Sequence, residues 1–387
     1  MAADGPRVMI VSDQFPPAKG GIGDYTALLS DALVACGVRV SLFVREGSDP
    51  KASRAPIAAT FDRWSWAALS HLHRTLVATD AEWVHLQHNG GMYGSCRLAA
   101  YFLPRYLRWK RWPGKIAVTF HDINRPPLFP KAGRLRDWVL GDLARNADVA
   151  FAADDSDILA LRRLGANAQQ VPIGSNIRPI CLNDAAIGSI RSRYHIPTDY
   201  TLLGHFGTTI GLDTVFRALP SLKKTSLLLI GKRNEIGSHG EIDRVPKDLH
   251  TLLEMTGCSH RVRWTSHLSA EEVSHALAAC DVVALPYPAG ASLRHGGLIA
   301  AICQGRAIVT TTPQTPLGKL LAQQIFLTVP PGDPSALAAA VRKISSDNAT
   351  KTNLEAAAVA VRGYFSWDSI AREHLSWYQT RGIGVAR

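Results

Sequence analysis

The 387-residue chain has no apolar run near the roughly 18 to 20 residues that span a bilayer, and its Met1 end is too polar for a secretory signal. Both absences lead to the expectation of a soluble, cytoplasmic protein. Cysteine is sparse: Cys36, Cys96, Cys181, Cys258, Cys280 and Cys303 are scattered, without the close pairs of a zinc site or the density of a disulfide scaffold. That usage fits a reducing compartment. There is no short-period repeat and no low-complexity tract, which excludes solenoid and collagen-like architectures. Acidic residues are nearly missing from one segment, since Arg97 to Arg136 holds ten Lys or Arg against the single acid Asp122. Most of the net charge of +11 therefore sits in that segment.

What is present is an alternation. Short aliphatic or β-branched runs alternate with longer helical patterns from end to end, the signature of parallel sheets flanked by helices. In the first half the expected strands are "RVMIVS", "RVSLFV", "EWVHLQH", "KIAVTFH", "DVAFAA" and "QQVPIG". In the second they are "TLLGHFG", "SLLLIGK", "RVRWTSH", "DVVALPY", "AIVTTT" and "IFLTV". The polar stretch from Pro179 to Asp199 starts no clear strand and reads as a connector. The expectation is an α/β protein of two doubly wound, Rossmann-like domains, residues 1–180 and 198–364, with ligand held in the cleft beyond the carboxyl ends of the strands.

The first loop, "FPPAKGGIGDYT", places Gly20, Gly21 and Gly23 where a helix is about to start. One reading is a dinucleotide fingerprint with Glu46 as the ribose acid, but Thr26 stands where a third glycine belongs, and six residues separate Asp13 from Gly20. A second is a phosphate site, in which glycines let backbone N–H groups approach and a helix beginning near Asp24 points its positive end at the anion. A third is an ordinary strand-to-helix connection with Asp24 as N-cap.

Several stretches in a fixed order bear on the choice. "FPPAKGGIGDYTALLSDALVACGVRVSLF", "TFHDI", "VPIGSNI", "LLGHFGTTIGLDTVFRALPSL", "VRWTSHLSAEEVSHALAACDVVALPYPAGASLRHGGLIAAICQGRAIVTTT", "LTVPPGDPSALAAAV" and "FSWDSIAREHLSWY" cover nearly the whole chain. Together they resemble the family 4 glycosyltransferases of the GT-B fold. The resemblance implies that Gly20 and Gly21 lie under the diphosphate and sugar of a nucleotide sugar, with Lys19 adding a cation. It implies that His121 lies close to the donor sugar, that Lys232 is near the nucleotide, and that the turn Ser266 to Leu268 receives the base. It also implies that C-terminal helices, about 365–387, rejoin the first domain.

Glycosyl transfer needs a hold on the diphosphate, stabilisation of the charge that develops there, and an oriented acceptor. "ASLRHGGLIAA" offers the amides of Gly296, Gly297 and Leu298 at a helix start, with Arg294 and His295 just before them to neutralise the leaving phosphate. "FGTT" gives a second phosphate-facing loop at Gly207 and Thr208. His121 and Arg294 are the candidate catalytic side chains. His85, His88 and Asp122 are candidates for the acceptor side, together with Gln87, although Asp122 also suits ordering its own loop. Asp155 and Asp157 mimic a metal-binding acid pair of another glycosyltransferase fold, but helix capping accounts for them, and no metal site or cofactor is expected.

The sequence departs from the family pattern. Two glutamates with seven residues between them are usual where Ser292 and Ala300 stand, and the arginine and lysine that often clasp the diphosphate fall on His205 and Ile210. A divergent subgroup follows, in which Arg294, His295 and Lys232 take over the charge. In the basic segment, "RLAAYFLPRYLRWKRWPGK" mixes Arg105, Arg108 and Arg111 with Trp109 and other aromatics, a composition suited to an anionic membrane face or an acidic acceptor. No nucleic-acid module can be read. The resulting expectation is a metal-independent, retaining hexosyltransferase that uses a UDP- or GDP-linked sugar and an unknown hydroxyl acceptor. The alternative is a non-catalytic sugar-nucleotide-binding protein on the same scaffold, and a nicotinamide oxidoreductase is a third possibility.

Overall fold

The computed structural model describes residues 5–18, 20–92, 98–123, 133–231, 234–236, 242–244, 247–265, 268–315, 317 and 324–379. Contacts divide the chain into two compact units, Met1–Ile173 with Trp367–Arg387, and Gly174–Ser366.

The first unit begins with β1 (Arg7–Ser12), α1 (Gly21–Ala35), β2 (Arg39–Arg45), β3 (Ile57–Phe61), α2 (Trp66–Ala78) and β4 (Trp83–His88). It continues with α3 (Leu98–Tyr101), α4 (Leu103–Trp109), β5 (Lys115–Phe120), α5 (Gly133–Asn146), β6 (Val149–Ala152), α6 (Asp155–Arg163) and β7 (Ala168–Gln170). Among the described residues its seven strands pair in the order β3-β2-β1-β4-β5-β6-β7, all parallel. Successive residues of β1 enter opposite faces. Met9 and Val11 join a core with Leu69, Leu72 and Leu76 of α2 and Leu103 and Leu107 of α4. Val8 and Ile10 join a second core with Leu29 and Leu33 of α1. Burial on both faces explains why these strands read as unbroken apolar runs.

The second unit opens on α7 (Asp184–Arg193), β8 (Thr201–Phe206), α8 (Leu212–Ala218), β9 (Thr225–Ile230), β10 (Asn234–Ile236), β11 (Ile242–Arg244) and α9 (Lys247–Met255). Then come β12 (Val262–Trp264), α10 (Ala270–Ala278), β13 (Val282–Leu285), α11 (Gly296–Gln304), β14 (Ala307–Thr311), β15 (Leu327–Val329), α12 (Pro334–Ser346) and α13 (Asn348–Val361). The described strands form a parallel sheet in the order β12-β9-β8-β13-β14-β15, with β10 and β11 as a separate antiparallel pair. The chain then returns to the first unit in α14 (Trp367–Gln379), whose Ile370, Ala371 and Tyr378 enter the core beside α1.

Several elements differ from the sequence expectation, among them the short strands β10 and β11, which no expected run covers. The stretch read as a connector carries α7, capped where the Asn183 side chain accepts from the Ala186 N–H at 2.9 Å. Helix α1 starts at Gly21 rather than near Asp24, so Asp24 lies in the first turn as a dipole partner and does not cap the helix. Strand β3, at the sheet edge, was not read at all. Among the described residues no helix is long and apolar enough to cross a membrane.

Both sheets have a switch point, where the strand order reverses direction. It falls between β1 and β4 in the first unit and between β8 and β13 in the second. Ligands of open α/β sheets bind at the carboxyl ends of the strands there.

Candidate functional site

In the first unit the loops after β1, β4 and β5 meet at the switch point. After β1, Ser12 Oγ donates to the Gln14 carbonyl at 2.6 Å and turns the chain toward Gly20. The glycines differ in what they require. A Cβ on Gly23 would press on the Phe15 backbone at 3.3 Å, so Gly23 lets helix and loop pack. A Cβ on Gly21 would meet nothing within 4 Å, and one on Gly20 would meet only the end of the Gln14 side chain. Packing within the described chain does not demand glycine at Gly21, and the space beside it is open.

His121 follows β5, its backbone N–H bonded to the His88 carbonyl at 2.9 Å. The ring is partly buried, touches the Tyr25 ring edge-on at 4.8 Å between centroids, and has Nε2 2.9 Å from Gln87 Oε1. Desolvation lowers its pKa to about 4, so it is neutral at pH 7 and able to accept or donate one hydrogen bond. The Asp122 carboxylate accepts from Asn89 Nδ2 at 2.6 Å and from the Gly90 N–H at 3.0 Å, tying the β4 and β5 loops together.

The expected place of His85 and His88 in an open acceptor pocket needs correction. His85 has no accessible surface; its Nδ1 is 2.6 Å from Tyr378 Oη and its Nε2 is 2.7 Å from Thr119 Oγ1. His88 is packed edge-on against Tyr101 and Phe120, and neither ring nitrogen has a hydrogen-bond partner among the described residues. Both are core side chains, because β4 is buried along its whole length between two helical layers.

In the second unit, β8 leads into Gly207, whose φ of 108° lies in the region open to glycine, and then into exposed Thr208. The loop after β13 leads into α11. A Cβ on Gly296 would meet nothing within 4 Å, whereas one on Gly297 would lie 2.6 Å from the Phe206 carbonyl oxygen. Gly297 thus permits the close approach of α11 to the β8 loop, and Gly296 leaves the helix terminus open. The free N–H groups of this first turn make it a place for an anion.

Two neighbours modify the reading. The Tyr287 hydroxyl is hydrogen-bonded to the Leu298 backbone amide, so that N–H is already engaged and the expected anion donors reduce to Gly296 and Gly297. The Tyr287 ring also stacks on His295, with centroids 3.6 Å apart, and fixes the plane of that imidazole. Arg294 is exposed, and its N–H and Nε approach Ser292 Oγ at 3.2 and 3.4 Å. Ser292 and Ala300 are buried. His205 points into the sheet, Nδ1 2.8 Å from the Ala284 carbonyl and Nε2 3.0 Å from the Thr208 carbonyl, so it braces the Gly207 loop and does not reach outward.

Lys19, Lys232, Ser266 and His267 lie outside the described residues. Asp154, one residue before the suspected acid pair, caps α6 by accepting from the Ser156 N–H at 3.0 Å, with Asp155 and Asp157 in the first turn. Among the described residues no three His, Cys, Asp or Glu side chains gather as metal ligands.

The basic segment is less cationic than it reads. Arg105 forms an ion pair with buried Asp142, and Arg108 pairs with Asp148 at 2.6 Å. Trp109 is 70% exposed, with Lys110 Nζ 4.5 Å from its ring, and Arg111 is exposed beside it. Sequence reasoning did not single out Tyr25, Thr119, Tyr287 or Tyr378. The available signal for Tyr287 was an aromatic between a strand end and a glycine-rich helix start; Tyr378 carried none.

Two family models match the chain. A glycosyl transferase 4-like domain matches residues 20–175, and a glycosyl transferases group 1 domain matches residues 199–347. Glycogen synthase of Mycobacterium tuberculosis is 24% identical over 396 aligned residues, covering 94% of this chain and 92% of that protein. Among solved structures, sucrose-phosphate synthase from Thermosynechococcus elongatus has a TM-score of 0.71 at 19% identity, covering 97% of this chain and 98% of its own. Anabaena HepE, solved with UDP, has a TM-score of 0.74 at 16% identity, covering 97% of this chain and all of its own. Residues 20–175 thus match a glycosyl transferase 4-like domain and residues 199–347 a group 1 glycosyl transferase domain, and the fold is that of the GT-B glycosyltransferases.

Proposed function

We propose that this protein moves a hexosyl unit from a UDP- or GDP-linked sugar to a hydroxyl of an acceptor, without a metal and with retention at the anomeric carbon. The bond from that carbon to the diphosphate oxygen breaks, a bond to the acceptor oxygen forms, and the acceptor proton passes to the departing diphosphate. The observation that carries this reading is the open glycine backbone at both switch points, Gly21 in one unit and Gly207 and Gly296 in the other. The neighbour HepE was solved with UDP, which supports a uridine or similar diphosphate as donor.

In the second unit the amides of Gly296 and Gly297 and the Arg294 guanidinium take up charge as the diphosphate leaves. Arg294 supplies a charge-assisted hydrogen bond where a metal-dependent enzyme would use its cation. In the first unit His121, neutral at working pH, meets a sugar or acceptor hydroxyl. The chain represents a divergent subgroup, with Ser292 and Ala300 in place of two glutamates. It works at the cytoplasmic face of a membrane, where exposed Trp109, Lys110 and Arg111 favour an anionic surface and a lipid-linked or acidic acceptor.

A second reading, a sugar-nucleotide-binding protein without catalysis, is favoured by the inward-turned His205, which itself brings no cation to the Gly207 loop. A thermal-shift panel of UDP, GDP, ADP, dTDP and NAD tests binding. A ligand at 100 times its dissociation constant stabilises by about 2.7 kcal/mol. One nucleoside diphosphate giving a clear shift supports the donor site, a shift with NAD alone favours an oxidoreductase, and no shift with any removes the donor site.

A further inference from the structure

Behind His121 the first unit holds a closed circuit of polar side chains. His121 Nε2 is 2.9 Å from Gln87 Oε1, and Gln87 Nε2 is 3.5 Å from His85 Nε2. His85 Nε2 is 2.7 Å from Thr119 Oγ1, the Thr119 side chain is hydrogen-bonded to the Tyr25 hydroxyl, and the Tyr25 ring closes the circuit against His121. Gln87 and His85 have no accessible surface, and Tyr25 and Thr119 are buried. Water cannot substitute for a lost partner here without a cavity, so each proton position is fixed by its neighbours.

Those positions follow from donor and acceptor chemistry. An amide nitrogen only donates, so the Gln87 Nε2 turned toward His85 Nε2 at 3.5 Å favours the unprotonated form of that nitrogen, whose one lone pair accepts from the Thr119 hydroxyl at 2.7 Å. His85 then carries its proton on Nδ1 and donates it to Tyr378 Oη at 2.6 Å. The same amide orientation turns Gln87 Oε1 toward His121, which must donate Nε2–H and keep its lone pair on Nδ1.

Helix α14 anchors this circuit twice. Tyr378 receives His85, and its carbonyl accepts from Trp83 Nε1 at 3.1 Å; Trp367 packs on Tyr25 at 5.2 Å between centroids.

We propose that Gln87 is a positioning residue that holds His121 in the Nε2–H tautomer with Nδ1 as its accepting face, and that α14 braces the arrangement through Tyr378 and Trp367. The functional consequence rests on the reading of His121 as a transfer-site residue; the tautomer does not. Among the described residues, the titratable groups facing His121 are Tyr25 from α1, His85 and His88 from β4, and the adjacent Asp122.

The test is 15N NMR of the full chain labelled at histidine, with the His121 signals assigned by their loss in His121→Gln. At pH 7 the expected pattern is a protonated Nε2 and an unprotonated Nδ1. In Gln87→Leu the two tautomers should become mixed. In the near-isosteric Gln87→Glu the Nε2–H tautomer should persist, while the protonation midpoint rises from about 4 by one unit or more. Tyr378→Phe should produce a smaller change of the Gln87→Leu kind. A His121 protonated on Nδ1 in the wild type, or an unchanged tautomer in Gln87→Leu, overturns the proposal; if that variant fails to fold, an unmoved midpoint in Gln87→Glu does so. With an identified donor, Gln87→Leu should lower kcat about tenfold at unchanged KM. If no nucleotide sugar turns over, the transfer reading fails while the tautomer result stands alone.

Discussion

Acidification should unfold the first unit from within. His88 and His374 are buried, and desolvation lowers their pKa values to about 3 and about 4, while an unfolded histidine titrates near 6.5. Below pH 6.5 the unfolded chain takes up these protons and the folded one does not, so stability falls with falling pH until the folded values are reached. At pH 5 each histidine costs about 2 kcal/mol relative to pH 7, and the pair about 4 kcal/mol, a large part of a typical domain's 5 to 15 kcal/mol. His85, also pushed well down by burial, adds to the loss. Urea unfolding followed by tryptophan fluorescence reads this directly, because eight of the nine tryptophans lie in the first unit and only Trp264 in the second. His88→Phe supplies the contrast, since the ring packs against Tyr101 and Phe120 and neither nitrogen has a partner among the described residues. It should reduce the loss between pH 7 and 5 by about 2 kcal/mol. Equal stability at the two pH values in the wild type, or an unchanged loss in His88→Phe, would refute the reasoning.

Other substitutions separate packing from ligand contact. Gly296→Val should change stability by no more than about 0.5 kcal/mol, because its side chain enters open space, yet abolish the nucleotide-induced thermal shift. Gly297→Ala forces a methyl group against the Phe206 carbonyl and should cost about 1 to 3 kcal/mol, read from the melting midpoint without ligand. Arg294→Ala should weaken nucleoside diphosphate binding roughly 10- to 100-fold by calorimetry, the worth of one charge-assisted hydrogen bond. Sedimentation with anionic vesicles should occur at low salt, weaken as salt rises, and fall about fivefold or more in Arg111→Glu; no sedimentation at low salt rules out the membrane surface.

The strands of both sheets were legible because burial on two faces makes them continuous apolar runs bounded by turns. Strand β3 was not, since "IAATF" lies at an edge and only Phe61 of its residues is fully buried. Helix α7 was missed for the same reason, having no buried residue to give it a period. Within the site, glycine positions were readable because their chemistry is local. Pairings across the fold were not: Arg105 and Arg108 read as free charge because Asp142 and Asp148 stand 37 and 40 residues further on. His85 read as pocket lining because the second layer that covers it, α14 with His374 and Tyr378, comes from the far end of the chain.

The central claim is transfer from a nucleotide sugar, and its most direct measurement is release of nucleoside diphosphate from a panel of UDP-, GDP-, ADP- and dTDP-sugars by the full chain, with an Arg294→Ala, His121→Ala double variant as reference. The account predicts release with sugars of one base, rising when an acceptor is supplied and absent in the folded double variant. Equal release by the double variant, or none from any sugar by a wild type whose melting temperature no nucleoside diphosphate moves, would contradict it.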